Sequence, residues 1–280
     1  MWSILKKKSR FKEKQYNTKK DYEYLDDLEK YFENSIGSNV EKLQNFTKYV
    51  PRQNLTTFLT RYEIFKKILD VPGSIIECGV LFGGGLMAFA QLSAIFEHVN
   101  FERQIIGFDT FSGFPKLSPI DKKYAGKLAT KGAYGINSFN DLMECVKLYD
   151  SNRFLGHFPK IELVKGDATK TIPKYVKNNP GLVVSLLYLD FLLYKPTKIA
   201  LENFVPRMPK GSLLIFNMIN DKPWPGPTKA LLDTLGITKL KFKRFPFNPY
   251  IHYAVLWFNV KNNYFLNTTD FFRYFISMLY

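Results

Sequence analysis

Cysteine and histidine are scarce in this chain. Two cysteines, Cys78 and Cys145, and three histidines among 280 residues give no disulfide framework and no Cys/His spacing suited to a metal. A disulfide-stapled secreted domain and a structural zinc module are therefore excluded. No apolar run reaches the length of a membrane span, and the stretch Met1 to Leu5 ahead of Lys6 is too short for a signal-peptide core. Cytoplasmic residence with reduced thiols is the expectation.

Acids are also in deficit, 25 Asp and Glu against 40 Lys and Arg, for a net charge of +15. Such an excess attracts polyanions. Its dense part is confined to the first twenty residues, where Lys6, Lys7, Lys8, Arg10, Lys12, Lys14, Lys19 and Lys20 form a solvated basic arm. A polyanion-contacting arm is the alternative, testable by its salt dependence. No interleaving of aromatic and basic residues marks a nucleic-acid module, so nucleic acid is not the expected partner.

What is abundant is apolar material, 46% hydrophobic residues with 26 Phe and 17 Tyr, enough for one main α/β core with appendages. From Asp21 to about Leu69 the pattern is helical. Tyr24, Leu25, Leu28, Tyr31 and Phe32 share one face, and Phe58, Leu59, Tyr62, Phe65 and Ile68 share another. Pro72-Gly73 ends this extension. Ser74 to Val80 then reads as a buried strand entering a glycine-rich turn, Leu86 to Phe96 as a helix, and Gln104 to Asp109 as a second strand.

A loop-rich stretch from Phe111 to about Gly135 is long enough to suggest a lid. Ile161 to Val164, Leu182 to Leu189 and Leu213 to Phe216 read as further strands, with helices over Thr197 to Phe204 and Thr228 to Leu235. Lys239 to Phe242 and Ala254 to Phe258 are the expected closing strands. The alternation predicts a doubly wound, mostly parallel sheet. The expected divisions are a basic arm over 1–20, a helical extension over 21–70, the α/β domain over 71–260 and a tail over 261–280.

In such sheets ligands bind beyond the carboxyl ends of the strands. Acids stand there repeatedly: Glu77, Asp109, Asp167 and Asp190. The turn through Gly79, Gly83, Gly84 and Gly85 opens a helix whose N-terminus offers free N–H donors, although it lacks the G-x-G-x-x-G spacing of dinucleotide binders. Asp109, followed by Thr110, suits the two hydroxyls of a ribose; a helix cap is the competing role. His252 is a candidate base, because imidazole titrates near neutrality, and packing is its alternative role. Trp224 reads equally as a wall for a sugar or as packing.

Glu77-Cys78-Gly79-Val80 with Gly83-Gly84, the run Gly107 to Pro115, Gly166 to Pro173, Leu189-Asp190 with Tyr194 to Thr197, and Trp224-Pro225-Gly226 together resemble the macrocin O-methyltransferase family, over roughly residues 45 to 257. The resemblance implies a Rossmann-like class I methyltransferase fold. It implies S-adenosylmethionine as cofactor and a hydroxyl of a sugar or other small polar molecule as acceptor, often with magnesium. By the same resemblance Glu77, Gly79 and Gly83 line the cofactor's methionine end, Asp109 and Thr110 its ribose and Asp167 its adenine edge. Asp190 is then the first metal ligand, with Asn217 beside it.

The family's further acids are replaced here by Leu192, Lys195, Asn217 and Met218. A hard dication held by Asp190 and one amide oxygen binds weakly, so Asp190 and Asn217 would instead orient the acceptor. A homologue that binds cofactor without turnover is the alternative, and a homo-oligomer is compatible with either.

Overall fold

The computed structural model describes residues 18–125 and 129–257. All but the last three residues of the basic arm, and the whole tail expected over 261–280, lie outside them. The chain forms two compact units that divide between Thr57 and Phe58.

The first unit is helical. Helix α1 (Lys19–Asn34) starts at Thr18, whose backbone N–H donates to the Asp21 carboxylate at 2.6 Å, so Lys19 and Lys20 belong to its first turn. Helix α2 (Asn39–Gln44) is opened by a reciprocal cap: Ser38 N–H donates to Glu41 at 2.7 Å and Glu41 N–H to the Ser38 hydroxyl at 3.3 Å. Tyr49 packs edge-on to Phe32, with ring centres 5.1 Å apart. The apolar face expected on α1 is only lightly covered, with Tyr24, Leu25 and Tyr31 each more than two-fifths exposed.

Helix α3 (Arg52–Lys66) carries the chain into the second unit. Its buried stripe is Thr60, Arg61, Ile64 and Phe65, rotated from the expected face, since Phe58 and Leu59 are exposed. The reason lies in packing: Thr60 accepts a buried hydrogen bond from Asn248 at 3.0 Å, which turns the neighbouring apolar residues outward.

Among the described residues seven strands follow: β1 (Ser74–Cys78), β2 (Ile105–Asp109), β3 (Ile161–Lys165), β4 (Val184–Leu189), β5 (Leu213–Asn217), β6 (Lys243–Phe245) and β7 (Asn248–Val255). They form one sheet in the order β3-β2-β1-β4-β5-β7-β6. The first five are parallel, and β7 runs antiparallel to both β5 and β6. This is the doubly wound, mostly parallel architecture expected, with the reversal of strand order between β1 and β4. Helices α4 (Gly84–Phe96), α5 (Pro119–Ala125), α6 (Phe139–Ser151), α7 (Ala168–Asn178), α8 (Tyr194–Phe204) and α9 (Gly226–Thr234) connect the strands.

Strands β1, β4 and β5 are buried on both faces, which is why they read as continuous apolar runs. One face packs on α3, α4 and α6 around Ile64, Phe65, Phe89 and Tyr188. The other packs on α7, α8 and α9 around Phe108, Phe204 and Phe216. The closing hairpin departs from expectation. Ile237–Lys239 is a 3-10 turn after Gly236, so β6 begins only at Lys243. Strand β7 starts at Asn248, because its pairing reaches back to Phe245 at the hairpin.

Candidate active site

Along each strand side chains alternate between faces. Ile75 and Glu77, Gly107 and Asp109, and Tyr188 and Asp190 therefore share the face of the α4 layer, and Asn217 shares it on β5. The parallel register sets Glu77 beside Gly107 and Tyr188, so these polar groups meet at the carboxyl ends of four adjacent strands. The reversal of strand order opens this edge.

Asp109 ties the edge together. One carboxylate oxygen accepts from Val80 N–H at 2.7 Å and Leu81 N–H at 3.0 Å, and the other from Phe111 N–H at 2.8 Å. The turn after β1 is thereby fastened to the end of β2, while the second oxygen keeps a lone pair for a further donor. Thr110 donates its hydroxyl to Gly113 O at 2.7 Å and stabilises the start of the loop. Asp167 is the N-cap of α7, accepting from Thr169 N–H at 2.9 Å and the Thr169 hydroxyl at 2.8 Å with one oxygen.

Three of the glycines answer to protein neighbours. Gly79 has φ +96°, and a Cβ there would lie 2.6 Å from the carbonyl oxygen of Asp190. A Cβ on Gly83 would meet Leu142, and one on Gly85 would lie 2.1 Å from Glu77 Oε1 and 2.3 Å from the Arg61 guanidinium. Gly84 alone of the turn faces open space, at the N-terminus of α4.

Glu77 is 2% exposed and pairs at 3.1 Å with Arg61, itself 8% exposed. The guanidinium carbon lies 4.9 Å from the Tyr188 ring centre. Burial pushes the Glu77 carboxyl up, with Arg61 pulling back. Arg61 was not among the residues expected at the site. The signal for it is a lone cation on the stripe Arg61, Ile64, Phe65, Ile68, at helical spacing.

Half-buried Asp190 accepts from Asn217 Nδ2 at 2.8 Å. Burial pushes its carboxyl up to about 7, against the Asn217 hydrogen bond and the Arg61 charge. Leu192 and Met218, flanking this pair, have φ of +60° and +66°, a left-handed conformation in which β-carbons are crowded. His252 is not brought to this pair. It stands opposite Phe216 in the ladder, so its ring goes to the other face of the sheet. Its Nδ1 lies 3.1 Å from Tyr250 O, and burial lowers its pKa. Strand alternation thus separates His252 from Asp190 and Asn217.

The loop after β2 packs on Leu193, just before α8, and on Trp224. Phe114, Tyr134 and Trp224 form a mutual cluster with ring centres 5.3 to 6.0 Å apart. Buried Asp121 accepts from the backbone N–H of Tyr194 at 3.0 Å, anchoring α5 to the start of α8. Trp224 is 2% exposed and so is part of a small core.

Sheet order, glycine turn and acids at the ends of β1, β2 and β4 define a class I S-adenosylmethionine-dependent methyltransferase. The model of the macrocin-O-methyltransferase (TylF) family matches residues 52–224, and the chain belongs to that family. It is similar to the solved structure of CalS11, calicheamicin methyltransferase, at 33% identity and a TM-score of 0.82, covering 86% of this chain and 94% of that one. An apo structure of CalS11, described as a TDP-rhamnose 3'-O-methyltransferase in calicheamicin biosynthesis, matches at 32% identity and a TM-score of 0.74, covering 86% of this chain and 96% of that one. The O-methyltransferase NovP shares the fold at 17% identity and a TM-score of 0.57, over 72% of this chain and 80% of its own. No curated protein sequence matches this chain.

S-adenosylmethionine is the cofactor, and the strand ends fit it. Glu77 Oε2 is a buried carboxylate oxygen without a partner, Asp109 has a spare lone pair, and space opens at Gly84. Magnesium does not fit. Among the described residues no three His, Cys, Asp or Glu side chains converge as a metal requires, and Asn217 turns a donor, not an oxygen, towards Asp190. A dication seeks about six oxygens.

Proposed function

We propose that this methyltransferase acts on a hydroxyl of a sugar or sugar nucleotide. The observation that carries the reading is the convergence of Glu77, Asp109, Asp190 and Asn217 at one strand-end edge, in a chain one-third identical to a protein described as a sugar-nucleotide O-methyltransferase. Residues 71–260 would form the catalytic domain and 21–70 its helical extension. No helix among the described residues is long and apolar enough to cross a membrane. Residence in the cytoplasm is part of this proposal, and the unpaired cysteines Cys78 and Cys145 support it.

When bound, the cofactor supplies a methyl group on an already activated sulfonium. Glu77, with Gly79 and Gly83 shaping the turn, would hold its methionine end, Asp109 and Thr110 its ribose, and Asp167 its adenine edge. Asp190 would take the proton that the acceptor hydroxyl gives up as its oxygen is methylated, using the oxygen that Asn217 leaves free. A carboxyl held near neutrality is suited to that work. Positioning supplies much of the remaining rate.

The test is calorimetric titration of the full chain with S-adenosylmethionine, followed by incubation with a panel of nucleoside diphosphate sugars and mass spectrometry of the products. A methylated sugar nucleotide, and an affinity lowered at least about tenfold by Asp109→Ala, are expected. Cofactor binding without any methylated product from the panel would refute this acceptor class and favour the inactive homologue. A mixture of two tagged copies analysed by light scattering would show whether the protein is a homo-oligomer.

A further inference from the structure

Arg61 lies outside the strand-end acids, on α3, yet its guanidinium reaches Glu77 Oε1 at 3.1 Å in a site where both side chains are buried. The pair is held on several sides. Tyr188 on β4 and Phe89 on α4 lie under the guanidinium, at 4.9 and 5.7 Å. Gly85 leaves both groups the room that any Cβ would fill.

For stability alone this is an unfavourable arrangement. Burying two charges rarely gains over an apolar pair of the same volume, and Gly85, in the first turn of α4, costs backbone entropy that an alanine would spare. The pair is also incomplete. Glu77 Oε2 and Arg61 Nε are buried without hydrogen-bond partners, which a purely structural ion pair would satisfy.

The surroundings say what chemistry would complete it. Glu77, Asp109 and Asp190 are three carboxyl groups on one edge, and Arg61 is the cation set against them. The edge therefore has a negative balance suited to a cationic ligand. The cofactor carries two positive groups, a sulfonium and the ammonium of its methionyl end. Only the ammonium can donate hydrogen bonds to a carboxylate.

We propose that Arg61 is a positioning residue for the cofactor: by gripping Glu77 Oε1 it keeps that carboxylate ionised and oriented, with Oε2 left to receive the methionyl ammonium. The inference rests on the methyltransferase reading and assigns the recognition of one end of the cofactor to a residue of the helix that precedes the sheet. No bond is made or broken at Arg61; its contribution is to binding.

The experiment compares two probes, S-adenosylmethionine and 5'-methylthioadenosine, which shares the nucleoside but lacks the methionyl ammonium. Each is titrated by calorimetry into the full chain as wild type, Arg61→Lys, Arg61→Met, Glu77→Gln and the double variant Arg61→Met with Glu77→Gln, with the melting temperature measured for each. Arg61→Met strands a buried carboxylate and should melt lower, while the double variant, neutral at both positions, should recover. S-adenosylmethionine affinity should fall about tenfold or more in Arg61→Met, Glu77→Gln and the double variant, and less in Arg61→Lys. Affinity for 5'-methylthioadenosine should stay within about twofold throughout.

Recovery of S-adenosylmethionine affinity along with melting temperature in the double variant would make the pair structural and overturn the proposal, as would a parallel loss for both probes. Should Arg61→Met fail to fold, Glu77→Gln against Arg61→Lys carries the same contrast. A wild type that binds both probes equally would overturn this inference alone, whereas one that binds neither would remove the cofactor reading beneath it.

Discussion

The ends of β1 and β2 are built differently from the ends of β4 and β5. On the first side the chain's own groups lock together: Asp109 holds three backbone amides, Arg61 holds Glu77, and the glycines of the turn leave room for their neighbours. On the second side, among the described residues, Asp190 has Asn217 as its one hydrogen-bonded side-chain neighbour, and Leu192 and Met218 sit in left-handed backbone. The half proposed for the cofactor is thus specified largely by backbone geometry, which fixes residue types tightly. The half proposed for the acceptor is specified by side chains, which can be exchanged while the backbone stays.

The largest effect is expected at Gly79. Gly79→Ala sets a β-carbon against the Asp190 carbonyl at 2.6 Å in a backbone with φ +96°. Left-handed strain and the overlap together should cost about 3 kcal/mol, read as a lower midpoint in urea unfolding. An unchanged midpoint would mean that β1 and β4 do not approach as closely as described, and the claim that backbone packing fixes this half would go with it.

How much of this was legible beforehand follows the same division. The strand-end acids and the glycine turn could be read because their spacing is local: each stands at the close of an apolar run. Arg61 could not be found that way, since its partner lies 16 residues on, and helical periodicity placed Phe58 and Leu59 inward where the structure exposes them. His252 stands out in sequence by the chemistry of a lone imidazole, while the strand register that sends it to the opposite face depends on pairing with β5. The reason for each glycine was also hidden. Sequence offers ligand approach as the cause, whereas Gly79, Gly83 and Gly85 answer to Asp190, Leu142 and the Arg61–Glu77 pair.

The half proposed for the acceptor should respond to pH. Burial pushes Asp190 up to about 7, and only its ionised form can take a proton. Transfer should therefore be lost as pH falls through about 7, to about a tenth of its plateau one unit below. Asn217 donates to the carboxylate and favours its ionised form, so Asn217→Leu should move the inflection to higher pH. An initial-rate profile for wild type and variant decides this. A flat profile between pH 6 and 8 would remove Asp190 as the base, leaving it to orient the acceptor.

The smallest effect lies at Met218, and its sign carries the information. Met218 has φ +66°, while its N–H stays in the ladder, donating to Tyr250 O at 3.0 Å. Methionine gains nothing from a left-handed backbone, whereas asparagine tolerates it through its short polar side chain. If the backbone here is fixed by the sheet and the side chain is free to vary, Met218→Asn should raise stability by about 0.5 to 1 kcal/mol, seen as a small increase in melting temperature. A loss of stability would show that the methionine is held by packing. A gain in stability with weakened acceptor binding would be the more instructive result, because it would place the strained side chain against the acceptor.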